Sequence, residues 1–124
     1  MKKSKILIVE DERLVALAIE TALVRTGYRV SATVTSAEEA VRKTEEIGPD
    51  LVLMDIRLRG EEDGVDAASR IRSFSSVPIV YLTANTEEKT LERARNTEPT
   101  GFITKPFEEK ALLSIVKNAL PGIP

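Results

Sequence analysis

Polar groups stand at the ends of four short apolar runs. Ile6-Leu7-Ile8-Val9 leads into Glu10 and Asp11, and Leu51-Val52-Leu53-Met54 leads into Asp55. Ile79-Val80-Tyr81-Leu82 ends on Thr83, and Phe102-Ile103-Thr104 on Lys105 and Pro106. If the runs are parallel strands, these groups share the carboxyl edge of one sheet, where open α/β sheets hold their sites. Three carboxylates meeting there would repel one another without a cation. A hard dication with oxygen ligands resolves the conflict, so the set reads as a Mg²⁺ site, with Mn²⁺ as the alternative ion. Asp11 and Asp55 are the expected direct ligands and Glu10 a ligand through water. The backbone carbonyl of Arg57 offers a further oxygen.

A carboxylate is a workable nucleophile towards phosphorus, which makes Asp55 the expected acceptor of a phosphoryl group. Such a transfer asks mainly for positioning and for positive charge against the equatorial oxygens. Lys105 supplies charge: its strand lies two positions from that of Asp55, roughly 10 Å away, a gap that a lysine stem largely covers. Thr83, on the strand between them, offers a hydroxyl, and small Ala84 leaves room for the group. Taken singly, Asp11 reads as a helix-capping acid, Thr83 as an ordinary strand end and Lys105 as a surface lysine. Only their joint placement gives the chemistry. The Lys105–Pro106 bond is open between two readings. Trans is the commoner isomer, whereas cis would aim the lysine back over the edge.

The elements that must hold these groups alternate along the chain. Between Asp11 and Thr26, apolar residues recur at helical spacing until Gly27. Tyr28 to Val34 alternates weakly and reads as a strand near a sheet edge. Ser36 and Glu39 form a capping-box pattern for a second helix ending at Gly48-Pro49. The run from Leu51 is apolar on both faces, as a central parallel strand should be. Val65, Ala68 and Ile71 mark a third helix, Thr86 to about Asn96 a fourth, and the stretch from Phe107 a fifth. Five strand–helix repeats predict a parallel sheet with helices on both faces. A dinucleotide fold would place glycines where Glu10-Asp11-Glu12 stands, and those acids would repel a pyrophosphate. The flavodoxin-like doubly wound α/β fold, with strand order 2-1-3-4-5, suits five strands better.

The 124 residues are expected to form one domain, 1–124, with no effector domain in this chain. A net charge of -2 gives no basic footprint for nucleic acid and no polybasic membrane patch. No apolar stretch is long enough to span a bilayer. The chain has no cysteine, which excludes disulfides and thiol nucleophiles and fits a cytoplasmic protein. It also has no histidine, so a phosphohistidine that feeds Asp55 must belong to another polypeptide.

The whole chain resembles the receiver domain of two-component response regulators. The resemblance rests on Ile6-Leu7-Ile8-Val9-Glu10-Asp11-Glu12, on Asp50 to Asp55, on Pro78 to Ala84 and on Gly101 to Phe107, four blocks in order at the family's spacing. It implies that Asp55 accepts a phosphoryl group from a sensor histidine kinase or phosphotransfer protein, with Mg²⁺ dependence and slow self-catalysed hydrolysis but no diffusible substrate. It implies a cis bond before Pro106, and a switch in which Thr83 moves towards the phosphoryl while Phe102 swings inward. Arg57 and Asn85 stand where the family's side chains border the path of attacking water. The loop after Asp55 departs from the common pattern: it lacks a proline and reaches Asp63-Gly64 one residue late. Phe102 lacks the hydroxyl of the commoner tyrosine, so a switch there works by packing.

Output through the fourth helix, fifth strand and fifth helix to an unspecified partner is expected, from a monomer or weak homodimer. Two alternatives remain at this level. The chain could be a phosphate-independent interaction module, or a receiver excised from a hybrid sensor kinase. A phosphatase with an aspartate nucleophile is disfavoured, because Arg57 stands where a second acid is needed.

Overall fold

Strict alternation of side chains gives the sheet two cores. In β1 (Lys5–Val9), Ile6 and Ile8 enter one apolar cluster and Leu7 and Val9 the other, all fully buried. The same division holds in β3 (Leu51–Asp55) and β4 (Ile79–Thr83), every residue of which is buried. With β2 (Arg29–Val34) and β5 (Gly101–Thr104) at the edges, the parallel sheet has the order β2-β1-β3-β4-β5. The computed structural model describes residues 4–84 and 87–120. The flavodoxin-like order is the one expected.

Helices α1 (Arg13–Thr26) and α5 (Glu109–Ala119) cover the face of Ile6, Ile8, Leu53 and Leu82. Helices α2 (Ala37–Ile47), α3 (Gly64–Arg72) and α4 (Glu88–Arg95) cover the other face. Gly27 and Gly48 end α1 and α2 in the left-handed conformation, where a side chain would be strained. The fourth helix runs over Glu88–Arg95, the expected start at Thr86 lying outside the described residues, and the fifth begins at Glu109 rather than Phe107. Among the described residues, no helix is long and apolar enough to cross a membrane.

Two local details differ from the sequence reading. The Ser36 hydroxyl accepts the Glu39 N–H at 3.2 Å, but the Glu39 carboxylate reaches the Thr35 N–H at 3.4 Å, so the box closes one residue early. A complete box instead starts α3. There Asp63 accepts from the Asp66 N–H and Asp66 from the Asp63 N–H, both at 2.9 Å. The weak alternation of the second strand also has a cause. The β1–β2 register slips between Ile6 and Leu7, and the extra residue, Ser31, donates its hydroxyl to the Ile6 carbonyl at 3.2 Å.

Past the end of α4, Glu98 has φ 54, the one positive φ outside glycine among the described residues. The Arg72 guanidinium holds this corner by donating to the carbonyls of Thr97 (2.8 Å), Val77 (2.7 Å) and Glu98 (3.4 Å). Left-handed backbone is unfavourable by about 1–2 kcal/mol for a residue with a Cβ, and glycine's extra freedom in the unfolded chain offsets part of that. Glu98→Gly is therefore expected to stabilise the fold by about 0.5–1 kcal/mol, raising the thermal midpoint by a few degrees. An unchanged or lower midpoint in a melting experiment would count against strain at this corner.

Candidate phosphoacceptor and metal site

The register sets the site. Asp55 closes β3 opposite Leu82, so Thr83 lies one step further along β4 and pairs with Thr104. Lys105 follows and donates its N–H to the Thr83 carbonyl at 2.7 Å. The Lys105–Pro106 bond is cis. On the other side β1 ends at Val9 opposite Met54, and the Glu10 N–H is fixed to the Val34 carbonyl at 3.0 Å. Glu10, Asp11, Asp55, Thr83 and Lys105 thus share one edge, as their positions after the apolar runs require.

The lysine crosses the predicted gap. Its Nζ lies 3.0 Å from Asp55 Oδ2, 2.8 Å from Glu10 Oε1 and 3.6 Å from Glu12 Oε1. Asp55 Oδ1 accepts the Arg57 N–H at 3.0 Å, and Glu10 Oε2 accepts the Glu12 N–H at 3.1 Å. Asp11 Oδ2 accepts the Arg59 N–H at 3.2 Å, with the Arg59 Nε at 3.7 Å. Glu10, Asp55 and Thr83 are buried, and Asp11 is half-buried.

Burial pushes the Glu10 carboxyl up, and the adjacent Asp55 carboxylate adds to this. Lys105 and the Glu12 amide pull the other way, and the group settles at about 7. For Lys105, burial acts downward, but the charges and hydrogen bonds of Glu10 and Asp55 outweigh it, so the ammonium is held above its ordinary value. The acids are therefore under-compensated by one ammonium. One oxygen from each of Glu10, Asp11 and Asp55 lies within 4.8 Å of the others. Glu10 Oε1 is buried and meets the Lys105 ammonium at 2.8 Å. Three carboxylates share that one ammonium, and an all-oxygen donor set with such an excess of negative charge fits Mg²⁺.

Other expected residues divide. The Arg57 side chain is exposed on the rim of a cavity of about 710 Å³ that Asp11, Asp55, Leu58 and Lys105 also line. Asn85 lies outside the described residues. Phe102 is half-buried and stacks on Tyr81 at 5.5 Å between ring centroids, with 27° between the planes. Three contributors escape the sequence reading: Glu12 beside the lysine, Arg59 on Asp11, and Gly64. The Gly64 N–H donates to the Ile56 carbonyl at 2.8 Å, and a Cβ there would lie 2.0 Å from the Asp55 carbonyl oxygen. The available signals were Glu12's adjacency to the two acids and a glycine directly after a helix-capping aspartate.

The family described as response regulator receiver domain matches residues 6–117. The transcriptional regulatory protein PdtaR of Mycobacterium tuberculosis is 36% identical over 116 residues, 94% of this chain and 56% of that protein. This chain thus spans little more than half the length of that relative. The receiver domain of a modulated diguanylate cyclase from Desulfovibrio desulfuricans superposes with a TM-score of 0.89 at 34% identity, covering 96% of this chain and 94% of that one. The N-terminal domain of a three-domain response regulator/sensory box/GGDEF protein from Carboxydothermus hydrogenoformans gives 0.85 at 41% identity, covering 94% and 93%.

Proposed function

The chain belongs to the response regulator receiver domain family, and from that premise we propose that Asp55 is the phosphoacceptor of a two-component phosphorelay. The observation that carries the reading is the Asp55 carboxylate at the end of the central strand, with the Lys105 ammonium 3.0 Å from one oxygen and the Arg57 amide 3.0 Å from the other. An Asp55 oxygen attacks the phosphorus of a phosphohistidine on a kinase or phosphotransfer protein. The P–N bond breaks, and its electron pair leaves with the imidazole. Lys105 faces the charge that gathers on the phosphoryl oxygens. Glu10, Asp11, Asp55 and the Arg57 carbonyl are the groups that would hold Mg²⁺ or Mn²⁺. Such an ion, when bound, supplies further positive charge against the same oxygens.

The conformational reading follows from the same site. Thr83 offers its hydroxyl to the phosphoryl group, and Phe102 repacks inward, changing the surface of α4, β5 and α5 that a partner reads. The partner and the kinase belong to the protein's cellular setting. Receivers similar to this chain occur in transcriptional regulators and also in a modulated diguanylate cyclase and a three-domain response regulator/sensory box/GGDEF protein, so the output need not be DNA binding.

The test is incubation with Mg²⁺ and a small acyl phosphate, followed by intact mass. A phosphoryl adduct is expected in the natural chain and none in Asp55→Asn. An adduct that survives in Asp55→Asn, or its absence from both proteins, favours a phosphate-independent interaction module. Arg57 and Asn85 are assigned the lifetime of the adduct, with the Arg57 side chain shielding it from water. Arg57→Ala is expected to hydrolyse several-fold faster after donor removal, and an unchanged rate would remove Arg57 from that role.

A further inference from the structure

The acids of the metal set meet two cations of very different standing. Lys105 pairs with Glu10 and Asp55, and its side chain, just after β5, is only 12% exposed. Asp11 is paired elsewhere. Its Oδ2 accepts the Arg59 N–H at 3.2 Å and faces the Arg59 Nε at 3.7 Å. The Asp11 side chain is 14% exposed and that of Arg59 is 87% exposed. Among the described residues, the Asp11 carboxylate pairs with no other cation.

Arg59 stands at the tip of the segment that joins β3 to α3. On one side of it Leu58 is half-buried and packs against the apolar cluster beneath α2 and α3. Beyond it Glu62 is held by Arg70 at 2.7 Å. Between these two fixed points Arg59, Gly60 and Glu61 are exposed, and Gly60 turns the chain at φ 105. Among the described residues, both polar contacts of this three-residue tip to the rest of the chain go to Asp11. The tip is thus tied at one place, and that place is a carboxylate of the metal set.

We propose that Arg59 competes with the divalent cation for Asp11: the loop tip and the ion engage the same carboxylate, so each weakens the other. The proposal rests on the reading of Glu10, Asp11 and Asp55 as the metal set. A carboxylate oxygen that accepts an N–H and faces a guanidinium has less charge to offer a cation, and the guanidinium repels the ion directly. Lys105 repels it as well, but that ammonium is enclosed by Glu10, Glu12 and Asp55 and stays where it is. Arg59 is nearly all in water, and an ion pair so exposed is given up at little cost. The coupling is reciprocal, so an ion on Asp11 loosens the tip, whose Arg59 shares the rim of the cavity with Arg57. Arg59 touches no reacting atom. It is a positioning residue that sets the ion concentration at which the site fills.

The experiment titrates Mg²⁺ into the natural chain, Arg59→Gln and Arg59→Lys at fixed total ionic strength, with backbone amides followed by NMR. A unit charge on the order of 6 Å from a dication in watery surroundings changes its affinity about 3-fold at 0.15 M ionic strength and less than about 1.5-fold at 1 M. Arg59→Gln keeps the amide and loses the charge, so it is expected to bind Mg²⁺ about 3-fold more tightly at the lower ionic strength and nearly equally at the higher. Arg59→Lys is expected to stay close to the natural chain at both. In the natural chain the heteronuclear NOE of residues 59–61 is expected to fall on saturation with Mg²⁺, and in Arg59→Gln to start lower. A residue that merely shaped the site would weaken the ion when lost. Equal or weaker binding by Arg59→Gln therefore overturns the proposal, as does a tip equally ordered with and without Mg²⁺ in the natural chain. If neither the natural chain nor Arg59→Gln binds Mg²⁺, the metal reading falls and the proposal with it; if both bind equally, the metal reading stands and the proposal alone falls.

Discussion

Gly64→Ala is expected to unfold about 10 to 15 °C below the natural chain and to accept phosphoryl groups at least tenfold more slowly. The reason is a single close approach. A Cβ on residue 64 would stand 2.0 Å from the Asp55 carbonyl oxygen and 2.9 Å from the Met54 side chain. The first neighbour is backbone, so no rotamer change relieves it. The start of α3 cannot simply withdraw, because the Gly64 N–H is bonded to the Ile56 carbonyl and Asp63 and Asp66 lock the first turn. Overpacking of this kind costs about 1–3 kcal/mol, and an unyielding backbone neighbour puts the case at the upper end. The atom that must give way belongs to Asp55 itself, so the carboxylate loses its register with Lys105 and with the Arg57 amide. Misplacement of a reacting group by about 1 Å can lower a rate a hundredfold. Thermal melting without divalent ions measures the first effect, and the rate of adduct formation measures the second. A variant that melts with the natural chain would show that the close approach relaxes freely.

That glycine marks the limit of what the sequence makes legible. The order of the sheet and the identity of the edge residues follow from short-range facts: apolar runs with polar ends, a missing glycine-rich turn, and two-faced burial of the Leu51 run. These depend on alternation and on counting, which a linear string preserves. Glu12, Arg59 and Gly64 depend on the path of a loop. Arg59 reaches Asp11 from the irregular segment between Asp55 and Asp63, and no periodicity predicts where such a loop lays its amides. The capping boxes make the same point. Ser36-x-x-Glu39 has the textual pattern, yet its carboxylate goes to Thr35. Asp63-x-x-Asp66 lacks the Glu or Gln of the usual pattern and closes fully, because the shorter acid fits a turn held from outside by Arg93. Tyr81 was legible only as strand core, and its hydroxyl acquires a partner from the end of α4.

Lys105→Met should separate the two tasks of the ammonium. In the natural chain that one charge stands 2.8 Å from Glu10 and 3.0 Å from Asp55, with Glu12 at 3.6 Å. Breaking a fully buried pair costs about 3–5 kcal/mol, since the remaining charge is left without compensation. Glu10 sits at about 7 and takes up a proton readily once the lysine is gone, which lowers the expected loss to about 2 kcal/mol, or about 8 °C in the melting midpoint without divalent ions. Methionine fills the stem's volume, so little of this arises from a cavity. Added Mg²⁺ should then stabilise the variant more than the natural chain, because the acids no longer share their charge with an ammonium and bind the ion more tightly. Stability is thereby recovered, but transfer is not. A missing donor to the developing charge typically lowers a rate by about 10²–10³, and positive charge supplied elsewhere in the site does not replace a donor at that position. The expected outcome is a protein that folds well in millimolar Mg²⁺ and forms adduct at least a hundredfold more slowly. Equal stabilisation of both proteins by Mg²⁺ would mean that Lys105 and the metal do not answer to the same acids, and near-normal adduct formation would remove Lys105 from the transfer.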